Sequence, residues 1–105
     1  MDNVAELLAK MRGNEALYCG RQMLSRMAFF IRGYDYALIR ANPSVRDATM
    51  ELFQIWLEHK FNVRHSKAWE EIILFHSSND SEAVQFFWEL FDEFNAERSS
   101  SSAVR

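Results

Sequence analysis

The sequence is poor in the residues that break a chain or staple it. Of 105 residues, one is cysteine, one is proline and three are glycine. The single Cys19 excludes an internal disulfide and a zinc site built from cysteine alone. So little proline and glycine excludes an all-β sandwich, whose many turns need them. No run of 18 apolar residues occurs, so no membrane-spanning helix is expected. The opening MDNVAELLAK is amphipathic, with acidic residues leading, and lacks the layout of a signal peptide. A cytoplasmic location is the resulting expectation.

Apolar and aromatic residues are plentiful. Hydrophobic residues make up 49% and aromatics 14%, nine of them Phe. This is the composition of a soluble globule with enough apolar surface for one core. The net charge is -3, unevenly spread. Residues 1–46 carry +3, residues 47–97 carry -8 and residues 98–105 carry +2. An acidic half repels nucleic acid and attracts basic partners.

Hydrophobic spacing predicts an all-α fold, a compact single-domain bundle of about five helices over residues 1–96. A Ser-rich tail, 97–105, is expected to be disordered. The first helix runs from about Asp2 to Met11, capped by Asp2 or Asn3 and ended at Arg12-Gly13-Asn14. A turn follows over residues 15–20. The second helix runs from about Arg21 to Ala41. Met23, Met27, Phe30, Ile31, Tyr34, Leu38 and Ala41 form its apolar stripe. Gly33 lies mid-helix at a cost of about 1 kcal/mol relative to Ala, which predicts close approach of a neighbouring helix. Asn42-Pro43 ends the element.

Ser44, with Asp47 three residues on, resembles a capping box for a third helix reaching Phe61. Ser66 caps a fourth, about Lys67 to His76, read as the buried central helix. A strand is the competing reading for Ile72–Phe75, but no second β-like run could pair with it. Asn79 with Glu82 opens a last helix, about Ser81 to Ala96. Its inward residues are Ala83, Phe86, Phe87, Leu90, Phe91 and Phe94.

Two acidic faces stand out. Asp47, Glu51, Gln54 and Glu58 share one side of the third helix, with no basic residue among them to pair. Gln85, Glu89, Asp92 and Glu93 form the second on the last helix. Like charges at this spacing repel by a few tenths of a kcal/mol.

Motifs for chemistry are lacking. His59 and His65 lie six apart and miss the HxxxH and HExxH spacings that zinc needs. His76 reads as structural near a helix end, and Cys19 as a small buried hydrophobe. Glu70 and Glu71 are adjacent and cannot face each other, so they read as first-turn charge. There is no GxSxG, P-loop or GxGxxG. No enzyme activity, cofactor or metal is expected. Arg21, Arg32, Arg40 and Arg46, with Tyr36, are candidates for phosphate contacts. A domain pI of about 5.6 argues against strong nucleic-acid binding.

The ordered motifs are Tyr18-x-Gly20, Phe30-x-x-Gly33-Tyr34-x-x-Ala37, Phe53-x-x-Trp56-Leu57, Ser66-x-x-Trp69-x-x-Ile72-Ile73 and Asp80-x-x-Ala83-x-x-Phe86-Phe87. Over about residues 15–94 this pattern resembles small all-helical bacterial immunity proteins. Those proteins belong to contact-dependent growth inhibition and other polymorphic toxin systems. The chain departs from the pattern at Asn14-Glu15-Ala16, where Arg-Pro is expected. The resemblance implies a non-catalytic cytoplasmic antitoxin that binds a cognate toxin domain, often a basic nuclease or RNase, and covers its active site. It further implies a 1:1 complex with no direct nucleic-acid or membrane partner. Glu51, Glu58, Glu89, Asp92 and Glu93 are the residues expected to stand in for substrate phosphates, with Asp47 and Gln54 at the rim. The alternative is a helical regulatory module that self-associates through exposed aromatics such as Trp88 or Phe29.

Overall fold

The all-α bundle expected from the sequence is found in a computed structural model that describes residues 2–63 and 67–103, with side chains through 99, and six helices lie among the described residues. They are α1 (Val4–Met11), α2 (Glu15–Cys19), α3 (Leu24–Ala41), α4 (Thr49–Lys60), α5 (Trp69–Phe75) and α6 (Asp80–Ala103). No strand occurs among the described residues, so Ile72–Phe75 is helical.

Asn3 makes the first helix. Its Oδ1 accepts from Glu6 N at 2.9 Å, and Glu6 Oε1 accepts from Asn3 N at 2.9 Å. Two otherwise orphaned donors are thereby satisfied. Gly13, at φ 83°, closes α1 in the left-handed region that suits glycine. The expected turn at 15–20 is helical instead. Gly20, also at φ 83°, ends this short α2 as its N–H bonds Ala16 O at 2.9 Å.

α3 starts three residues later than expected, at Leu24. Asp80 defines that start from across the fold: its carboxylate accepts from both the backbone N and the Oγ of Ser25. The buried face of α3 is Leu24, Met27, Ala28, Ile31 and Leu38. Phe30 and Tyr34 are half-buried and Ala41 is exposed. Gly33 corrects an expectation. A Cβ there would meet nothing within 4 Å, so no helix packs closely against it.

α4 starts at Thr49, so the Ser44–Asp47 capping box does not form. Ser44 Oγ instead donates to Asn42 Oδ1. Asp47 accepts from Ala5 N at 3.3 Å and Thr49 N at 3.4 Å, tying the irregular segment to α1. The predicted Ser66 cap of α5 lies outside the described residues. α5 is not buried all round: Trp69, Ile72 and Ile73 are buried, but Phe75 is 81% exposed. A contiguous apolar run says nothing about sidedness. Asn79 caps α6 by accepting from Glu82 N at 2.8 Å. α6 continues past Ala96 to Ala103, because the Ser-rich stretch contains no proline or glycine to stop it.

The core centres on Phe53 of α4, which is fully buried. Phe87, Phe91 and Phe94 of α6 surround it at ring distances of 5.6, 5.4 and 5.3 Å. The first two meet it edge-on, an arrangement aromatic quadrupoles favour. Trp56 and Trp69 complete the shell. α6 packs on α3, α4 and α5, and α1 packs on α2, α3 and α4. The acidic α6 therefore has one face in the core and one face outward.

Candidate functional site

The two expected acidic faces have different fates. On the α4 side, Arg46 bridges Asp35 and Glu51, which corrects the expectation that no basic residue pairs there. Asp47 is committed to backbone N–H groups. Gln54 Nε2 donates to Glu58 Oε2 at 2.9 Å and to Lys67 O at 2.6 Å. Glu51 and Gln54 come together with Arg32 and Asp35 in a cavity of 270 Å³. Asp47, Glu51 and Gln54 are thus tied to neighbouring groups of the fold, with Glu51 still exposed and Gln54 and Glu58 half-buried.

The α6 side stays open. Glu82, Gln85, Glu89, Asp92 and Glu93 are all exposed and follow one another at helical spacing. Among the described residues, Glu82 and Glu89 form no ion pair. Asp92 receives two bonds of 2.7 Å from Arg12, and Glu93 receives Lys60 Nζ at 2.7 Å. The hydrogen bonds from Arg12 hold the Asp92 carboxyl below the usual carboxylate range, and the Arg12 charge adds to them. Exposed pairs like these contribute about 0–1 kcal/mol each.

Trp88 is not available for self-association, because it is only 5% exposed. Its indole Nε1 donates to Glu15 Oε2 at 2.7 Å. Glu15 also accepts from Gly13 N at 3.0 Å and from Gln22 Nε2 at 3.4 Å. Glu15 is the one buried acidic residue among those described, and sequence reasoning missed it. The signal available was Trp88 itself. Val84, Trp88 and Phe91 lie at helical spacing, and a buried indole needs an acceptor. Arg12 stacks over the Trp88 ring at 5.1 Å. Arg12, Glu15, Gln22, Gln85 and Trp88 all border a cavity of 450 Å³.

Burial pushes the Cys19 thiol up, and the Glu15 charge pushes it further, so it stays protonated at neutral pH. His59 is exposed, and His76 is exposed and stacked on Phe61 with ring centroids 4.4 Å apart. His65 lies outside the described residues. Among the described residues, no three His, Cys, Asp or Glu side chains group as metal ligands. No described helix is long and apolar enough to cross a membrane.

The arginines considered for phosphate binding are largely engaged. Arg32 bonds Glu70 through both terminal nitrogens, at 3.1 and 2.7 Å. Arg46 serves Asp35 and Glu51, and Arg40 lies over Tyr36. Phe29 and Tyr36 remain 73% and 61% exposed on the outer side of α3.

Compared with known proteins, the chain matches no family model, no curated protein and no solved structure.

Proposed function

We propose that the protein is a non-catalytic cytoplasmic immunity protein that binds a cognate toxin domain. The partner is a basic nuclease or RNase, and the complex is 1:1. The outward face of α6 is the docking surface, with Glu82, Glu89, Asp92 and Glu93 standing where substrate phosphates would lie. The observation that carries this reading is the contrast between the two acidic faces. On the α4 side Asp47 is held by backbone N–H groups and Glu51 by Arg46, which leaves Glu58 alone without a charged partner among the described residues, whereas the α6 stripe carries four exposed carboxylates of which two, Glu82 and Glu89, form no ion pair there. Opposite charge steers such an encounter and selects the partner more than it adds affinity.

The test is a pull-down of the tagged protein from its own source lysate, at low and then high salt. A basic toxin fragment retained at low salt, with association slowing as salt rises, supports the reading. Glu82→Lys with Glu89→Lys should slow association at least tenfold while leaving the helical circular dichroism intact. Glu51→Lys with Glu58→Lys should act through stability instead. Equal protection of cells by the α6 double variant and the parent excludes this face.

A second reading rests on α3. Phe29 and Tyr36 form an exposed aromatic face that suits a self-associating helical module. Sedimentation that depends on concentration and is lost in Phe29→Ser would favour it.

A further inference from the structure

The 450 Å³ cavity lies where the α1–α2 turn meets α6, and Gln85 belongs to both the cavity and the acidic stripe. Its size falls within the roughly 300–1,000 Å³ typical of ligand sites. Glu15 forms part of its wall and is 4% exposed. Buried carboxylates ordinarily sit against a cation, since an isolated buried charge is costly. Among the described residues, Glu15 has no ion-pair partner. Arg12 is also on the wall and its charge reaches Glu15, but both of its terminal nitrogens donate to Asp92 and none to Glu15.

The acceptors of this wall are incompletely used. Glu15 Oε2 takes Trp88 Nε1 and Gly13 N. Oε1 has only Gln22 Nε2 at 3.4 Å, beyond the usual N–H···O range. Gln22 and Gln85 each turn their amide nitrogen toward a carboxylate, Glu15 and Glu89 respectively, at 3.4 Å in both cases. Their carbonyl oxygens are left as acceptors. Leu17 and Val84 add apolar wall.

We propose that this cavity receives one arginine side chain of the toxin, an assignment that rests on the toxin-binding reading above. The guanidinium meets Glu15 Oε1 and the amide oxygens of Gln22 and Gln85, and its aliphatic stem lies against Leu17 and Val84. Arginine suits the wall better than lysine. Its planar fork offers five donors to spread acceptors, and it is less strongly hydrated than an ammonium. A bond from a guanidinium to a carboxylate is charge-assisted and about twice as strong as a neutral one.

The test uses the full chain without toxin. Backbone and indole N–H resonances are followed by NMR as N-acetyl-arginine N-methylamide is added. The citrulline and lysine counterparts and agmatine are added in parallel. Saturable shifts at Gly13, Gln22 and the Trp88 indole, with a Kd of about 1–10 mM, are expected for the arginine probe. Citrulline should give none, and lysine should bind at least threefold more weakly. Agmatine binding tenfold tighter than the capped arginine would point to a free small cation and overturn the assignment to a partner side chain.

Glu15→Gln should weaken the arginine probe at least tenfold. Because that change also disturbs folding, Gln85→Arg serves as the second variant. It sits on the exposed face, leaves the helical signal intact and fills the cavity from within, so the response should vanish. An unchanged response in Gln85→Arg, or equal shifts with citrulline, overturns the proposal. A flat titration beside a successful pull-down removes the cavity from the interface and leaves the toxin reading standing. Saturable titration beside an empty pull-down upholds the guanidinium site and overturns the toxin reading alone.

Discussion

Trp88 donates its indole N–H to the buried carboxylate of Glu15 at 2.7 Å, across 73 residues of sequence. This bond fastens the short α2 and the turn before it to the middle of α6. A hydrogen bond to a charged group contributes about 1.5–3 kcal/mol, more than a neutral one. Trp88→Phe removes the donor and leaves the carboxylate short of a partner. We expect a loss of about 1.5–3 kcal/mol, read as a lower urea midpoint with unchanged slope. A loss below about 0.5 kcal/mol would show that the bond is dispensable.

Gly33 offers the opposite sign. It lies mid-helix at ordinary backbone angles, and its Cβ position is open. Gly33→Ala should stabilise the protein by about 0.4–1 kcal/mol, mainly by restricting the unfolded chain. For a domain of this size the midpoint should rise by about 2–8 °C in a thermal melt.

Phe53 is the position where truncation does most harm. Five aromatic rings contact it and none of its surface is exposed. Phe53→Ala should cost about 3–5 kcal/mol. Against a total of about 5–15 kcal/mol, that leaves a chain near its unfolding threshold. Chemical denaturation followed by circular dichroism measures the loss.

The Arg12–Asp92 pair predicts a pH dependence. Its two hydrogen bonds, then the Arg12 charge, hold the folded pKa of Asp92 below the ordinary value of about 4. The stabilisation is therefore present above about pH 4 and is lost as pH falls through the folded pKa. The Asp92 side chain is 55% exposed, which limits the effect to about 1 kcal/mol. Asp92→Asn should lower stability by up to that amount at pH 7. The parent and variant should converge once pH has fallen below the folded pKa of Asp92.

The long elements were legible in the sequence because their periodicity repeats over several turns. α3 and α6 each carry apolar residues at three- and four-residue steps, and Asn42-Pro43 and Asn79 mark boundaries that the structure keeps. α2 was not legible: five residues cannot nucleate a helix alone, and packing against α3 and α1 supplies the stability. The capping box at Ser44 failed because Asp47 finds donors on α1 and at Thr49. The acidic stripes were legible as compositions, but their fates were not. Arg46 reaches Asp35 and Glu51 only once α3 and α4 are in place. Glu15 looked like a turn residue because nothing local announces burial, and its shortest donor, the Trp88 indole, lies 73 residues away.

The tryptophans also divide the molecule optically. Trp56 and Trp69 both lie against Phe53, whereas Trp88 lies against Glu15. Two of the three fluorophores therefore witness the assembly of α4, α5 and α6, and the third, though also in the core, is the one that touches the α1–α2 turn. In a chain with Trp56 and Trp69 replaced by Phe, the remaining emission would follow the docking of that turn together with the burial of Trp88 beside Phe87 and Phe91.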